Sequence, residues 1–529
     1  MRDNKSTFGQ VVRGAAVACA SLIACAVHAA APGITGTGGT ADFFDLTAAA
    51  AYTTQPDGAS IYTWGYGCNT APDGSQFAPA TIGGGACPAG SMQLPGPTLI
   101  VHKGDTVTVV LHNNLPKVAG STSILFPGFT MAPAVDGVPG VLTQEATNGN
   151  AVTYTFVADT EGTHSYYSGT QGDIQVEMGL YGALIVLPTS VPDACVNGAR
   201  AANNFKARND RGQGEFRLAA AAFSDNLQSC YDREYLFQFS EIDASIHKQV
   251  EAQSNLACAQ SSGCLNVATE PYHPEYFLIN GRSMPDDMDP NYASQYPHQP
   301  YNGNPHMHPG ELTLVRIIGQ GRMEHPFHEH ANHVRVLARD GYQLKNGNGN
   351  LDGPLLFTTT TTPGMTLDGL FEFTGKNLAW DMYGHHKADA NNAAVDPACT
   401  PDPNGYHSVP DDDNYYEWCA DHDHALESHP FGNVGSGGPV TLPNANILVD
   451  GPWYGGSPYL GPDATARAVG PTPIPPSGTV ANDPGAEAGF AYMWHSHNER
   501  EITTNNIFPG GMMMMMLVDP WVYPIDEAK

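Results

Sequence analysis

The sequence has few basic residues and few charged residues of any kind. Lys and Arg number 23 against 53 Asp and Glu, which gives a formal net charge of -30 at pH 7, and charged residues make up 14% of the chain. The Lys and Arg residues form no long run that could follow a phosphate backbone. The sequence therefore predicts no nucleic-acid partner, whereas its acidic surface favours solubility and attracts cations.

The N-terminal apolar stretch is too short to span a membrane. Arg2, Lys5 and Arg13 precede an apolar segment at 14–27, and small residues follow it, which is the layout of a secretory signal peptide at 1–30. The sequence LIAC within this segment also resembles a bacterial lipobox, with Cys25 as the lipidated residue. The two fates stay open. Both predict an exported protein, in the periplasm, at the outer membrane or cell surface, or outside the cell.

Cysteine is scarce, and none lies in the metal motifs described below. Of the 10 cysteines, two lie in the first thirty residues, and the even remainder in an exported chain favours disulfides. A thiolate metal ligand is not predicted. The expected bridges are the neighbour pairs, each of which would close a short loop: Cys68/Cys87, Cys195/Cys230, Cys258/Cys264 and Cys399/Cys419.

The composition favours short strands separated by turns. Gly (58) and Pro (42) are abundant in 529 residues, and a chain of this length predicts two or three domains. Residues 95–116 alternate apolar and polar side chains through two β-branched runs joined by a Lys-Gly-Asp turn, which is typical of half-buried strands. We therefore expect an all-β chain made of β-sandwiches.

The alternating pattern is interrupted twice along the chain. It covers 42–190, weakens through an Ala-, Asn- and Arg-rich linker at 191–230, and resumes over 231–525. Within this second part, residues from about 380 to 489 are rich in Asp, Asn, Pro, Gly and His and show no periodicity. The sequence thus predicts two β-sandwich domains with a long loop-rich insertion in the second.

Two pairs of histidines carry the strongest chemical signal. In HPFHEHANHVRVL, His328 and His330 are two residues apart at the end of a predicted strand, and in MWHSHNERE, His495 and His497 have the same spacing. Side chains two apart on a strand point to the same face, so neighbouring strands would gather four imidazoles. Four neutral nitrogens without sulfur favour Cu(II), with zinc as the alternative.

Other histidines form weaker patterns. His306 and His308 form another pair just before a predicted strand, and the insertion adds His422, His424 and His429. These residues could form a second metal site or a copper-acquiring loop. Exposed histidines in polar loops are, however, usually without a metal, so both interpretations stay open.

Six segments resemble, in order, the signature segments of multicopper oxidases. They span most of 93–520: PGPTLIVHKGDTVTVVLHNNLP, DGVPGVLTQ, GLYGALIVLP, YFLINGRSMPD, HPFHEHANHVRVLARDG and MWHSHNEREITTNNIFPGGMMMMMLVDP. This resemblance implies two cupredoxin-like Greek-key β-sandwich domains and copper as the cofactor. It also implies a homo-oligomer, since two-domain relatives often form trimers that share metal sites between subunits.

The resemblance fails at the copper ligands of the first domain. The family has two HxH motifs there, and neither is present in this chain. The corresponding positions hold Leu125, Phe126 and Pro127 in the first motif and Tyr167, Ser168 and Gly169 in the second. The resemblance therefore implies no ligand from the first domain.

In the second domain the resemblance implies a partial set of ligands. His325 falls on the family's type 1 copper ligand, and the two histidine pairs fall on ligands of its trinuclear cluster. Ser496 stands in place of the cysteine that binds type 1 copper, and Glu501 stands at the later histidine position. A hydroxyl near pH 7 is a poor substitute for a thiolate, so the blue-copper site is predicted to be absent.

Two functions from different classes follow from this pattern. The first is an exported copper-binding oxidoreductase with a His-only metal site in its second domain and a small-molecule or metal-ion reductant. The second is a non-catalytic copper carrier or a scaffold at the cell surface or in the periplasm, because the thiolate and the first-domain ligands are missing. Whether the protein is an enzyme stays open at this stage.

Overall fold

The structure of the protein is a computed structural model. It describes residues 31–36, 41–79, 86–192, 195, 220–307, 310–373, 400–407, 419–420, 456–459, 489–518 and 525.

The N-terminal half of the described chain contains eleven strands and one short helix, α1 (Gly172–Gln175). The strands are β1 (Gly33–Thr35), β2 (Ala41–Thr54), β3 (Ser60–Cys68), β4 (Phe77–Ala78), β5 (Leu99–His102), β6 (Thr106–Asn113), β7 (Val138–Pro139), β8 (Gln144–Glu145), β9 (Ala151–Val157), β10 (Gly162–Tyr167) and β11 (Tyr181–Leu187).

The described residues after 219 contribute one longer helix, α2 (Ala244–Gln253), whose N-terminal amides are capped by the Asp243 carboxylate. The strands are β12 (Ala220–Ala221), β13 (Cys230–Tyr231), β14 (Arg233–Ile242), β15 (Tyr276–Ile279), β16 (His306–Met307), β17 (Leu312–Gly319), β18 (His325–Glu329), β19 (Val334–Arg339), β20 (Tyr342–Gln343), β21 (Leu355–Leu356), β22 (Thr358–Thr361), β23 (Thr366–Glu372), β24 (Gly456–Tyr459), β25 (Gly489–Ser496) and β26 (Met513–Val518).

The first sandwich packs a sheet of order β10-β11-β5-β1-β4 against a sheet of order β3-β2-β6-β9. β6 shows why these strands form, because its inward residues Val107, Val109 and Leu111 are fully buried while the residues between them are partly exposed. They meet Leu99 and Leu184 of the opposite sheet in one core. This burial of alternate apolar residues is the main favourable term of the sandwich.

The second sandwich has the same two-layer plan. One sheet has the order β15-β14-β17-β23-β19-β20 with β21 beside β19, and the other has the order β16-β26-β25-β18-β22 with β24 beside β25. Phe237 and Val315 of the first layer meet Phe327, Trp494 and Met514 of the second in a common core. The metal motifs lie on β18 and β25, which are adjacent central strands of the second layer.

Buried charges and apolar contacts join the two sandwiches. Asp368 of the second sandwich accepts hydrogen bonds from the backbone and hydroxyl of Thr163 in the first, at 3.1 and 2.6 Å. The guanidinium of Arg316 lies 3.0 Å from Asp368 and 2.8 Å from Glu234, so all three ionic groups are compensated in the interior.

The prediction of an all-β fold with two β-sandwiches is confirmed. Three of the four predicted disulfides are present, Cys68–Cys87, Cys195–Cys230 and Cys258–Cys264, whereas Cys399 of the fourth lies outside the described residues. The predicted signal peptide at 1–30 and most of the predicted linker and insertion also lie outside them. The domain limits stay a prediction. Within the described part of the chain, no helix has the length and hydrophobicity needed to cross a membrane.

Candidate metal centre

The pairing of β18 with β25 determines which histidines meet. The two strands are antiparallel, with His328 opposite His495 and Phe327 opposite Ser496. Because side chains alternate along each strand, His328 and His495 emerge on one face of the sheet, while Phe327 and Ser496 point to the core. The period-2 argument from the sequence thus places both histidine pairs on the same face.

Three of the four histidines converge closely. One ligand nitrogen each from His328, His330 and His495 lies within 4.8 Å of the others, and all three residues are buried. Among the described residues these three form the one group of this kind. The exposed His497 stands at the edge, with its ring centroid 5.1 Å from that of His328 and 5.6 Å from that of His495.

The backbone after β18 turns His330 toward His495. Ala331 has a positive φ of 85°, a conformation that is uncommon for a residue with a Cβ atom. The buried indole of Trp494 holds this bend, because its Nε1–H donates a hydrogen bond to the His330 carbonyl at 3.0 Å. The protein chain itself therefore fixes where the His330 ring lies.

Hydrogen bonds also fix the tautomer of His495. Its Nδ1 lies 2.7 Å from the Ser496 carbonyl, which can only accept, so the proton is on Nδ1 and the lone pair is on Nε2. Burial lowers the pKa of His495, which keeps the ring neutral near pH 7. A ring that donates one N–H to a backbone carbonyl and presents the other nitrogen is the usual state of a metal-ligating histidine.

The distance between two of the nitrogens fits a shared ion. Nε2 of His330 and Nε2 of His495 are 3.2 Å apart. An ion at the usual imidazole distance of about 2.0–2.1 Å can reach both nitrogens at this separation. His328 adds a third ring, which is oriented by a 3.0 Å hydrogen bond between its Nδ1 and the Thr358 hydroxyl. The donor set therefore fits a metal that accepts imidazole ligands.

The core face of the same strands holds a different set of residues. His325 is fully buried, with Nδ1 3.0 Å from Glu501 and Nε2 3.0 Å from Glu241. Ser496 donates its hydroxyl to the same Glu501 oxygen at 2.5 Å. Both ring nitrogens of His325 are thus engaged by carboxylates, on the face opposite the three converging histidines.

The two carboxylates keep His325 charged. Burial alone would lower its pKa, but the hydrogen bonds and negative charges of Glu241 and Glu501 raise the pKa of His325 to about 9. The resulting imidazolium lies between β14 of one sheet and the segment after β25 of the other. His325 and Glu501 are hydrogen-bonded to each other. Their role as metal ligands stays a prediction.

Sequence reasoning named Glu501 but missed Glu241, the second partner of His325. Glu241 lies on β14, 84 residues before His325, and also accepts a hydrogen bond from the Tyr272 hydroxyl at 3.0 Å. The same hydroxyl lies 2.7 Å from Glu177 of the first sandwich, whose pKa burial raises to about 8. No local motif marks these residues, because each is an isolated acid or tyrosine in its own segment.

The first sandwich has other side chains at the positions that correspond, by the resemblance, to the family's copper ligands. Phe126 is buried, with ring centroids 4.8 Å from Phe156 and 5.9 Å from Tyr166. Ser168 donates its hydroxyl to Gln175 at 2.7 Å, and Leu125 pairs with Tyr167 through the backbone. Aromatic and amide packing thus replaces imidazole at these positions.

The weaker histidine candidates do not join the cluster. His306 lies on β16, where its carbonyl accepts a 2.6 Å hydrogen bond from Tyr235. It is not part of the group formed by His328, His330 and His495. His308 and the three histidines of the insertion lie outside the described residues.

Comparison with known proteins gives the family context. Residues 88–190 match the family model described as multicopper oxidase. The chain is 37% identical over 93 residues to copper resistance protein A of Pseudomonas syringae pv. tomato, and 38% identical over 96 residues to L-ascorbate oxidase of Brassica rapa subsp. pekinensis. Each match covers 18% of this chain, and 14% and 16% of the two relatives. The predicted resemblance to multicopper oxidases is confirmed, although the chain spans only about a sixth of these relatives.

Solved structures match over more of the chain but loosely. The multicopper oxidase mgLAC superposes with a TM-score of 0.44 at 16% identity, covering 92% of this chain and 87% of its own. The blue copper oxidase from Nitrosomonas europaea gives 0.43 at 15% identity, covering 90% and 85%. The family found by sequence implies copper as the cofactor.

Proposed function

We propose that this multicopper-oxidase-like chain is an exported copper-binding oxidoreductase, whose metal site is formed only by histidines of the second sandwich. The observation that carries the proposal is the convergence of His328, His330 and His495, with one nitrogen of each within 4.8 Å of the others. Three imidazoles on a rigid sheet suit copper, and the fourth histidine, His497, stands beside them on the exposed side.

Each residue of the proposed site has a distinct task. His330 and His495 present their Nε2 atoms to one point, and His328 approaches that point from the opposing position on β18. The Ser496 carbonyl and the Thr358 hydroxyl orient the rings of His495 and His328. Copper bound there would supply one-electron redox chemistry.

The core face supports the absence of a blue-copper centre. Ser496 gives a hydroxyl to Glu501, and His325 is held between Glu501 and Glu241. No thiolate is present among these groups, and the imidazole nitrogens are engaged. We propose that electrons reach the site directly from a small-molecule or metal-ion reductant at the exposed His497 edge.

Export and self-association complete the proposal. Three disulfides in the described residues support a location outside the reducing cytosol, in the periplasm, at the cell surface or outside the cell. We propose a homo-oligomer, with a trimer as the form to test, because the first sandwich of the same chain offers no imidazole at its former ligand positions.

A second candidate function is a copper carrier without catalysis. The engagement of Ser496, Glu501 and His325 by one another favours it, since no second redox metal would lie beside the cluster. One sequence relative is named copper resistance protein A. In this case the histidines would hold and release copper, and no substrate would be oxidised.

Metal analysis and oxygen consumption test both candidates. We expect the purified protein to bind copper through the histidine cluster and to show no intense blue absorption. With ascorbate, phenolic, Mn(II) or Cu(I) reductants, oxygen uptake above that of free copper supports the oxidoreductase. Copper binding without oxygen uptake supports the carrier, and failure to bind copper contradicts both.

A further inference from the structure

A second concave site lies between the two sandwiches, away from the histidine cluster. It is a cleft of about 460 Å³ bounded by β10 and the turn at Pro127–Gly128 on one side, and by the segments around Asp340 and Met365 on the other. Cavities of about 300–1,000 Å³ at domain interfaces are typical of small-molecule sites. Tyr167, which occupies a former copper-ligand position, lines this cleft.

His164 presents a hydrogen-bond acceptor to the cleft. Its Nε2 lies 2.9 Å from the Thr160 carbonyl, so the proton is on Nε2 and the lone pair is on Nδ1. Burial lowers the pKa of His164, which keeps this neutral tautomer near pH 7. The nearest atom to the position of a Cβ on Gly128 is His164 Nδ1 at 3.8 Å, and both residues line the cleft. The glycine therefore leaves the space in front of Nδ1 open.

Ser165 is a buried polar residue next to His164 on β10. It is 3% exposed, and its hydroxyl has no hydrogen-bond partner among the described residues. Because consecutive side chains of a strand point to opposite faces, Ser165 and His164 face opposite sides of β10, the edge strand of its sheet. His164 is therefore the residue of β10 whose side chain offers an acceptor to the cleft.

Asp340 supplies negative charge at the opposite wall. One of its carboxylate oxygens accepts a hydrogen bond from the Thr366 backbone at 2.9 Å, which fixes the side chain while the residue stays exposed. No Lys or Arg is found among the described lining residues, and the nearby Arg316 is already paired with Glu234 and Asp368. The described lining residues therefore offer acceptors and a negative charge and include no Lys or Arg.

The remaining wall is apolar or aromatic. Pro127, Pro363 and Met365 line it, together with Tyr342, whose side chain is 75% exposed at the mouth. Flat apolar surfaces and an aromatic ring favour a ligand with a flat body, and a tyrosine ring also attracts an organic cation. The net charge of -30 would repel anions and concentrate cations near the surface.

We propose that this cleft binds a small organic cation, a primary amine carried on a flat apolar body. The ammonium group donates to the Asp340 carboxylate and to the His164 acceptor, and the apolar body packs on the prolines and Met365. The site is independent of the histidine cluster, so it does not rest on the proposed copper function.

Calorimetry on chelator-treated, copper-free protein tests this assignment. The probes are 2-phenylethylamine, its neutral counterpart 2-phenylethanol and the anion 3-phenylpropionate. We expect saturable 1:1 binding of the amine, binding of the alcohol weaker by about tenfold or more, and no binding of the anion. Equal binding of amine and anion, or no saturable binding of the amine, would overturn the proposal.

Variants distinguish binding in the cleft from nonspecific binding of a cation to the acidic surface. Asp340 has a positive φ of 51°, which Asn tolerates well, so Asp340→Asn removes the charge with little change of shape. We expect it to abolish the preference for amine over alcohol, whereas Asp173→Asn, an exposed acid outside the cleft, should keep that preference. Tyr342→Ala at the exposed mouth should also weaken binding of the amine. An unchanged preference in Asp340→Asn contradicts the assignment.

Discussion

The two faces of the β18–β25 strand pair have opposite electrostatic environments. On one face, His328, His330 and His495 lie close together, and burial favours the neutral form of His495. On the other face, His325 lies between Glu241 and Glu501 and is held as an imidazolium. Histidines on this one strand pair thus form a neutral-favouring cluster on one face and a buried ion pair on the other.

The largest effect is expected from removing histidines of the outer face, which is the face of the β18–β25 pair that carries His328, His330 and His495. The double substitution His330→Ala and His495→Ala removes the two nitrogens that lie 3.2 Å apart, and we expect copper affinity to fall by more than about 100-fold. Competition with a chromogenic chelator measures this loss. His102→Ala, on a partly exposed side chain of the first sandwich, is the matched control and should bind copper normally. Normal copper affinity in the double variant would contradict the site.

The next largest effect is expected on the inner face, which is the opposite, core-facing side of the β18–β25 pair that holds His325. His325→Leu leaves Glu241 and Glu501 buried without their cation, and we expect a loss of about 3–5 kcal/mol in the free energy of unfolding. Denaturant unfolding of the copper-free protein measures it. Copper stoichiometry of the folded variant should stay unchanged, because the two faces are separate. A variant that is as stable as the original, or that loses its copper, would contradict this division.

The smallest expected effect is a pH dependence of the inner face. The folded-state pKa of His325, about 9, lies above its ordinary value of 6.5. The imidazolium therefore contributes its full stability below about pH 6.5, and this contribution is lost as the pH rises through about 9. The shift corresponds to roughly 3 kcal/mol.

Unfolding free energies between pH 6 and pH 10 measure this loss. Glu177, with its pKa raised to about 8, adds a decrease of the same sign between pH 4.5 and 8. The His325→Leu variant is the control above pH 8, where its stability should fall less because it has no imidazolium left to lose a proton. Below that pH, Glu241 and Glu501 without their cation add a decrease of their own. An equally steep fall in both proteins above pH 8 would show that other groups are responsible.

The sequence predicted that the two histidine pairs share a face, because this prediction depends only on the local spacing of residues along each strand. The period of two along a strand places His328 with His330, and His495 with His497, and the order of the strands then brings the pairs together. The β pattern and three neighbour disulfides were predictable for the same reason.

The rest depends on contacts that no local pattern encodes. Glu241 reaches His325 from a distant segment, and Tyr272 in turn donates a hydrogen bond to Glu241; each is an ordinary residue in its own surroundings. The charge of His325 follows only from that packing. The cleft beside His164 likewise exists only because the two sandwiches meet there.

The bend at Ala331 has a consequence for the proposed metal site. Its positive-φ backbone, held by the Trp494 indole, sets the direction of the His330 ring before any ion arrives. We therefore expect little conformational entropy to be lost if an ion enters. Loading of the proposed site would then need no rearrangement of the surrounding sheet.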